Sequence, residues 1–337
     1  MKIDLDGGLI LRSLAEGESQ DIDRLPTFHD PDDAWAADWV MSYLDGSHPT
    51  VTLEDIWVIV DPKADDAITS SLMMIPQLWR YQGVDMPVGR IELVRTRDDY
   101  RRRGLIRVLM DAAHKRSEAI GHVAQVIEGL DHYYRRFGYA YAVDSSRRAF
   151  VPMHVVPSRP KHYQLRVATE NDIPDLIQWD AYMSEFNTLT CARTVEQWHW
   201  EFHGNKARPT SKLIITDTAG EGVGYVTLRP KDAWCFAYVV GKKASYLDTF
   251  DDVLYGIRSH VADHARKTRI NPPTGISFRN GAAVLDTLVE NSYPSRVTPP
   301  RYACWYIRPA SPAGLVHHIS SVLESRLVSS DYSAFTG

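Results

Sequence analysis

The sequence predicts an α/β fold made of two similar units, each with one central sheet, followed by one short segment at the end of the chain. Three observations carry this. The chain has 337 residues, about twice the ~150 of an ordinary domain. Short apolar runs alternate with longer stretches of helical periodicity, as in a sheet covered by helices. The same order of elements then returns at an offset of roughly 150 residues.

In the first unit, Leu9-Ile10-Leu11-Arg12-Ser13-Leu14 reads as a strand, followed by acidic helical sequence. Ile56–Val60 and Ile68–Met74 flank the turn-rich Asp61–Asp66 and make a hairpin with a longer loop. A turn at Met86-Pro87 leads into the strand Val88–Arg95. From Gly104 the period changes: Leu105, Leu109 and Ala112 form one apolar row, with Ile106 and Ala113 beside it. Gly121 is placed to stop that helix. Val123–Ile127 is a short buried strand, and Asp131 is placed to cap a short helix that runs through Phe137 and ends at Gly138.

Pro157 and Pro160 mark a linker, which bounds the first unit at residues 1–156 and the second at 157–300. The opening then repeats, including the Leu-Arg pair of Leu11-Arg12 in Leu165-Arg166. Leu213–Asp217 and Gly222–Leu228 form a hairpin, Trp234–Val240 is a strand, and Thr249–Arg266 is a helix. Ile276–Phe278 and a helix over Gly281–Asn291 complete the copy. Residues 301–337 hold a strand pattern, Arg301–Ile307, and an amphipathic helix, Leu315–Leu327, with no evident partner in either unit.

Composition excludes several classes of protein. Hydrophobic residues make up 44% and charged residues 24%, with nine Trp and seventeen Tyr, so the chain has ample surface to bury and is not disordered. A net charge of −5 gives no global field for nucleic acid or an acidic membrane. Three widely spaced cysteines (Cys191, Cys235 and Cys304) rule out a disulfide framework and read as core positions. No run approaches the roughly 18 apolar residues of a membrane span, and the acidic start does not resemble a signal peptide. The expectation is a soluble, cytoplasmic protein.

One segment stands out chemically. Arg95, Arg97, Arg101, Arg102, Arg103 and Arg107 surround a strand–turn–Gly104–helix sequence. At such a junction the unpaired amides of the turn and the first helical turn point outward, and the helix dipole favours negative charge. Glycine lets an anion approach the backbone, and arginines add charge-assisted bonds. By spacing alone the segment reads as a solvated basic turn or as a site for a phosphate-bearing ligand, and the first is the commoner case.

Arg101-Arg102-Arg103-Gly104-Leu105-Ile106 resembles the acyl-CoA loop of the GNAT superfamily of N-acetyltransferases, Arg/Gln-x-x-Gly-x-Gly/Ala. The strand Ile91–Val94 before it fits, as does His132-Tyr133-Tyr134-Arg135-Arg136-Phe137-Gly138-Tyr139, which is similar to the superfamily's Phe-Tyr-x-x-x-Gly-Phe helix end. The triple arginine, the Trp79–Gly83 segment and the second copy resemble in particular the multi-domain enhanced intracellular survival acetyltransferases. There are departures. Ile106 stands where Gly or Ala is preferred, and Lys242-Lys243-Ala244-Ser245 occupies the loop position of the second unit without a glycine before its helix.

The resemblance implies a tandem GNAT fold (α+β, mixed sheet) whose second copy is degenerate and lacks the CoA loop. Residues 301–337 would then lead toward the sterol-carrier-like domain that relatives carry. It also implies direct transfer from acetyl-CoA to the primary amine of a small molecule or peptide, with no metal, and leaves room for a homo-oligomer. Tyr134 matches the superfamily's general acid, with Tyr133 the packing partner of Phe137. Leu93 and Val94 fall where main-chain groups meet the thioester, and Arg101, Arg102, Arg103, Gly104, Leu105 and Ile106 where pyrophosphate binds. Glu92 is a candidate base acting through water.

Rival signals are weaker. His199 and His203 lie one helical turn apart, as do His260 and His264, but thirteen histidines make such pairs expected by chance. Nucleic-acid binding by the arginines fits poorly with the net charge. The serious competitor is a non-catalytic acyl-CoA-binding or scaffold protein, which would have no need of Tyr134 as an acid.

Overall fold

The structure is a computed structural model describing residues 2–18, 42–44, 46–130, 132–143, 148–204, 209–279, 283–292, 296–298 and 305–332. They divide into two compact units: Met1–Val143, Asn187–Ala207 and Cys304–Gly337 in the first, Asp144–Phe186 and Arg208–Ala303 in the second. The acidic stretch expected to be helical after the first strand, Asp131, Gly281, Cys304 and the start of the predicted 301–307 strand lie outside the described residues.

The first unit opens with β1 (Lys2–Asp4), β2 (Ile10–Ser13), β3 (Ile56–Asp61), β4 (Ala67–Tyr81) and β5 (Val84–Thr96). It continues with α1 (Leu105–Ala119), β6 (Ala124–Glu128) and β7 (Ala140–Val143). The long β4–β5 hairpin reverses at Gln82-Gly83, both left-handed (φ 46° and 89°), as a two-residue turn requires. The expected turn at Met86-Pro87 is instead inside β5, where Met86 pairs with Trp79 and Pro87 with Leu78. Pro87 has no N–H to give, but its carbonyl accepts from Val123 at 2.8 Å, so the sheet closes around it.

Helix α1 forms where the apolar row predicts it. Leu105, Leu109, Ala112 and Ala113 are buried against Trp57, Ile59, Leu72, Met74 and Ile91 of the sheet. Gly121 ends it at φ 84°, with the His122 amide returning to the Ser117 carbonyl at 3.0 Å.

The second unit begins with β8 (Arg148–Pro152), β9 (Gln164–Val167) and α2 (Ile173–Ser184). The chain then returns to the first unit for β10 (Leu189–Ala192), paired with β4, and α3 (Val195–His203). The rest of the second unit is β11 (Ser211–Thr216), β12 (Gly222–Arg229), β13 (Trp234–Val240), α4 (Tyr246–Thr268), β14 (Gly275–Phe278), α5 (Ala283–Ser292) and β15 (Arg296–Thr298). Last come β16 (Trp305–Pro309), α6 (Pro312–His318) and α7 (Ser320–Val328), again in the first unit. The single helix expected over Leu315–Leu327 is broken at Ile319 (φ −101°, ψ 14°).

The two sheets have the same plan. The first runs β2-β3-β4-β5-β6-β16-β7 beyond β1, and the second runs β9-β11-β12-β13-β14-β8-β15. Each contains one parallel pair, β5 with β6 and β13 with β14, at the same place in the order. The repeated Leu-Arg pair has a physical basis. Arg12 grips the Glu18 carboxylate with two nitrogens, and Arg166 does the same to Asp172 at 2.9 and 2.6 Å, each acid six residues on.

The domain limits differ from the expected 1–156, 157–300 and 301–337. Strand β8 follows β7 in the chain but pairs with β14 and β15, so the chain enters the second unit at residue 144. Strand β16, for which the sequence offers no partner, lies antiparallel between β6 and β7. Each sheet is therefore completed by a strand whose chain neighbour belongs to the other.

A buried polar network joins α1, β6 and β16. His114 shares a 2.9 Å hydrogen bond with the Tyr139 hydroxyl, Gln125 donates to Ser117 at 2.9 Å, and Arg308 donates to Gln125 at 2.6 Å. Burial, with Arg308 close by, pushes the His114 imidazole down to about 4. The unfolded imidazole, near 6.5, therefore binds its proton first as pH falls. This part of the stability is whole above about pH 6.5 and is lost between there and about 4. Burial lowers His122 too, with the same sign. At about 1.4 kcal/mol per pK unit, the His114 share is about 3 kcal/mol at most. Thermal melts from about pH 7.5 to 5 should show a falling Tm, and His114→Gln should flatten the fall; identical slopes would disprove this origin.

Candidate active site

The site grows from one failure of pairing. Strands β5 and β6 pair in parallel only at Val88–Ala124, Gly89–Gln125 and Arg90–Val126, yet β5 continues to Thr96 and β6 to Glu128. A wedge opens between them beyond Arg90. In the same stretch the β4–β5 register slips between Ser71 and Met73, and Leu93 takes φ 54°. Such a bulge bends the strand and re-aims its main-chain groups. The Leu93 carbonyl accepts from the Ser71 hydroxyl at 3.2 Å.

The basic turn lies at the end of β5. Its anchor is Tyr100, whose hydroxyl donates to Asp61 at 2.7 Å and holds that carboxyl below its usual range. Arg97 and Arg103 stack on the Tyr100 ring at 5.2 and 4.5 Å. Arg101 pairs with Asp98 at 2.7 Å, while Arg102 makes no ion pair among the described residues. Helix α1 starts at Gly104 with no side-chain cap. The amides of Arg102, Arg103, Gly104, Leu105 and Ile106 donate to no group among the described residues. Arg102 and Gly104 are both left-handed (φ 63° and 76°), which curls these amides into a concavity suited to an anion at a helix N-terminus. A Cβ on Gly104 would meet nothing within 4 Å, so glycine is required there by its backbone conformation and not by crowding inside the protein.

The chain brings Val94, Leu105, Ile106 and Tyr134 into one apolar cluster beside the wedge. Leu93 points the other way, into the core on the opposite face of the sheet. Tyr134 is 6% exposed and begins a short 3-10 turn ended by Gly138 at φ 86°. Its hydroxyl makes no hydrogen bond among the described residues. Burial, followed by the charge of Glu92, raises its pKa well above the usual phenol range. Tyr133 packs on Phe137 with centroids 5.7 Å apart, the expected i,i+4 pair. Glu92 is not a free carboxylate but an ion-paired one, 2.5 Å from Arg90, whose guanidinium also lies over Trp305 at 5.1 Å. The sequence gives no hint of Tyr306, because strand β16 has no visible partner; the residue is fully buried against Tyr134.

The second unit has different side-chain bonds at the corresponding places. Ser245 caps α4 through the Asp248 amide at 3.2 Å. The Tyr246 hydroxyl donates to the Tyr238 carbonyl on β13 at 2.9 Å, and the Tyr238 hydroxyl is 2.6 Å from Thr249. Lys242 and Lys243 pair with Glu185 and Glu221. Cys235 is buried as expected, whereas Cys191 is exposed on β10, contrary to its expected place in the core. His260 bonds Ser211 at 2.7 Å, and no group of three metal-binding side chains converges among the described residues. No helix among them is long and apolar enough to cross a membrane.

Comparison with known proteins bears on the family and the fold. Residues 12–142 match the family model of the acetyltransferase (GNAT) domain, so the chain carries a GNAT domain and is an acyltransferase (EC 2.3.1.-). Among solved structures it is similar to a GCN5-related N-acetyltransferase from Anabaena variabilis, at 13% identity and TM-score 0.66, covering 91% of this chain and 74% of that one. It is similar also to Eis1 from Mycobacterium abscessus (15% identity, TM-score 0.56, 92% and 75% covered). A third is Saccharomyces cerevisiae N-myristoyltransferase with bound myristoyl-CoA (12%, TM-score 0.63, 91% and 84%). At these identities the likeness is one of fold, and it extends over both units. Comparison with curated protein sequences produced no match.

Gly104→Ala should keep the fold but cost about 1–2 kcal/mol for a left-handed Cβ, lowering Tm by a few degrees. An unchanged melting curve would mean that the turn is relaxed there.

Proposed function

We propose that the first unit transfers the acetyl group of acetyl-CoA directly to the primary amine of a small molecule or peptide, in a ternary complex in the cytoplasm. The observation that carries this is the run of unbonded amides from Arg102 to Ile106, at an uncapped helix end beside an open strand wedge. Pyrophosphate fits the amides, and Arg102 adds charge. The pantetheine arm, which carries amides of its own, fits the unpaired length of β5 as an added strand does.

The chemistry then needs three services. An alkylammonium with pKa near 10.4 is less than about 0.1% neutral at pH 7, so its proton must leave. Glu92, held by Arg90, takes that proton through water. The amine nitrogen attacks the thioester carbonyl carbon, and the oxyanion formed is met by main-chain donors at the Leu93–Val94 bulge. The C–S bond breaks, the CoA sulfur takes the proton of the Tyr134 hydroxyl, and the second proton of the attacking nitrogen returns through water to the tyrosinate, so that a neutral amide, free CoA thiol and tyrosine result. Burial keeps Tyr134 protonated at neutral pH, and the same apolar surroundings make a thiolate more basic, so the transfer remains matched. The second unit, with its helix capped by Ser245 and the Tyr238 carbonyl already taken, binds no CoA in this reading.

CoA should raise Tm in a concentration-dependent way, because it binds the native state. Gly104→Glu should remove that shift, since a carboxylate would enter the anion concavity; a shift surviving in the variant would dismiss the loop assignment. Thiol release from acetyl-CoA against polyamines, aminoglycosides, amino acids and peptide N-termini tests the reaction itself. With the best acceptor, Tyr134→Phe should lower kcat by about 100-fold with little change in acetyl-CoA affinity. CoA binding without thiol release from any amine would favour the binding-protein alternative.

A further inference from the structure

The chain just before Tyr134 is held at two points by tyrosine hydroxyls. Tyr306 donates to the Leu130 carbonyl at 2.9 Å, and the His132 amide donates to the Tyr141 hydroxyl at 2.7 Å. His132 is left-handed (φ 62°), a conformation that a β-carbon disfavours and that these bonds oppose from relaxing. Tyr306 is completely buried. Its ring meets Tyr134 edge-on, with centroids 5.6 Å apart at 75°, and stacks on Tyr141 at 4.3 Å. Gly129 closes the other side: a Cβ there would lie 3.1 Å from Cε2 of Tyr134. The Tyr134 ring is thus fixed by packing on two sides, while its hydroxyl stays unbonded.

Tyr306 belongs to β16, the strand that enters the first sheet from beyond the second unit. We infer that Tyr306 is a positioning residue for acetyl transfer: its ring and hydroxyl fix the Leu130–Tyr134 turn so that the Tyr134 hydroxyl stays aimed into the wedge. The inference rests on the reading of Tyr134 as the acid. It extends that reading, because the acetyltransferase machinery is then not contained in residues 12–142 but includes 305–309. A proton donor must be held to about 0.5 Å, and a displacement of about 1 Å costs on the order of 100-fold in rate.

The test uses the full chain and the amine that gives the fastest thiol release. Tyr306→Phe keeps the ring and removes the bond to Leu130. It is expected to lower kcat about tenfold, with KM for acetyl-CoA and calorimetric CoA affinity within about twofold of wild type. In a Tyr134→Phe background the same substitution should have no further effect on kcat, since nothing remains to be aimed. Unchanged kcat in Tyr306→Phe overturns the proposal, as does an equal loss in the Tyr134→Phe background or a parallel loss of CoA affinity. If Tyr306→Phe does not fold, Tyr141→Phe, which releases the His132 amide two residues before Tyr134, should give the same split of kcat from KM. Wild-type turnover in Tyr134→Phe alone would sink the acid assignment itself. A reduced rate there with none in Tyr306→Phe or Tyr141→Phe would sink only the positioning role.

Discussion

Parallel pairing between β5 and β6 lasts for three residues and stops at Arg90, and the architecture of the site depends on that stop. A continuous ladder would satisfy the backbone of Ile91–Thr96 and leave nothing for a ligand to bond. The bulge at Leu93 turns β5 away, helix α1 packs into the angle, and Gly104 leaves the helix end open. Unmet backbone groups are normally costly inside a protein. Here they line the wedge and the turn together, where a ligand with amides in its arm and phosphates at its end can satisfy them.

The two units share this plan and differ in the side chains around it. Both have the same strand order, with the parallel pair in the same place. In the second, Ser245 supplies the missing cap, and Tyr246 reaches back to the carbonyl of Tyr238. Two side chains therefore bond one amide and one carbonyl there, where the first unit has no such bonds among the described residues.

Local patterns made much of this legible. The α1 row, Gly121, Gly138 and the Tyr133–Phe137 pair act within a few residues, and the structure has them as the sequence predicts. Trp234–Val240 is likewise a strand with the expected limits. Long-range pairing was hidden. Nothing local says that β8 pairs with β14 or β16 with β6, so the domain limits and the burial of Tyr306 were out of reach. The turn at Gln82-Gly83 was obscured by Met86-Pro87, a stronger local signal that the sheet overrides through the Pro87 carbonyl. The arginine cluster exposed the site, but its roles were divided only by geometry: Tyr100 takes Arg103, Asp98 takes Arg101, and Arg102 is left over.

The exchanged strands also bear on how the molecule comes into being on the ribosome. Most of the first sheet emerges early, yet the place between β6 and β7 stays vacant until residues 305–309 have been made. Meanwhile β8, the nearest strand in the chain, must not take that place, although its backbone is available. A growing chain thus holds two exposed strand edges open while residues 144–304 are made, a state prone to mispairing within the chain or with a neighbour. Closing a loop of this length adds only logarithmically to the entropy cost, so the hazard is one of timing and not of final stability. The last strand to arrive acts as a latch, and only a chain made as far as that strand can shut it.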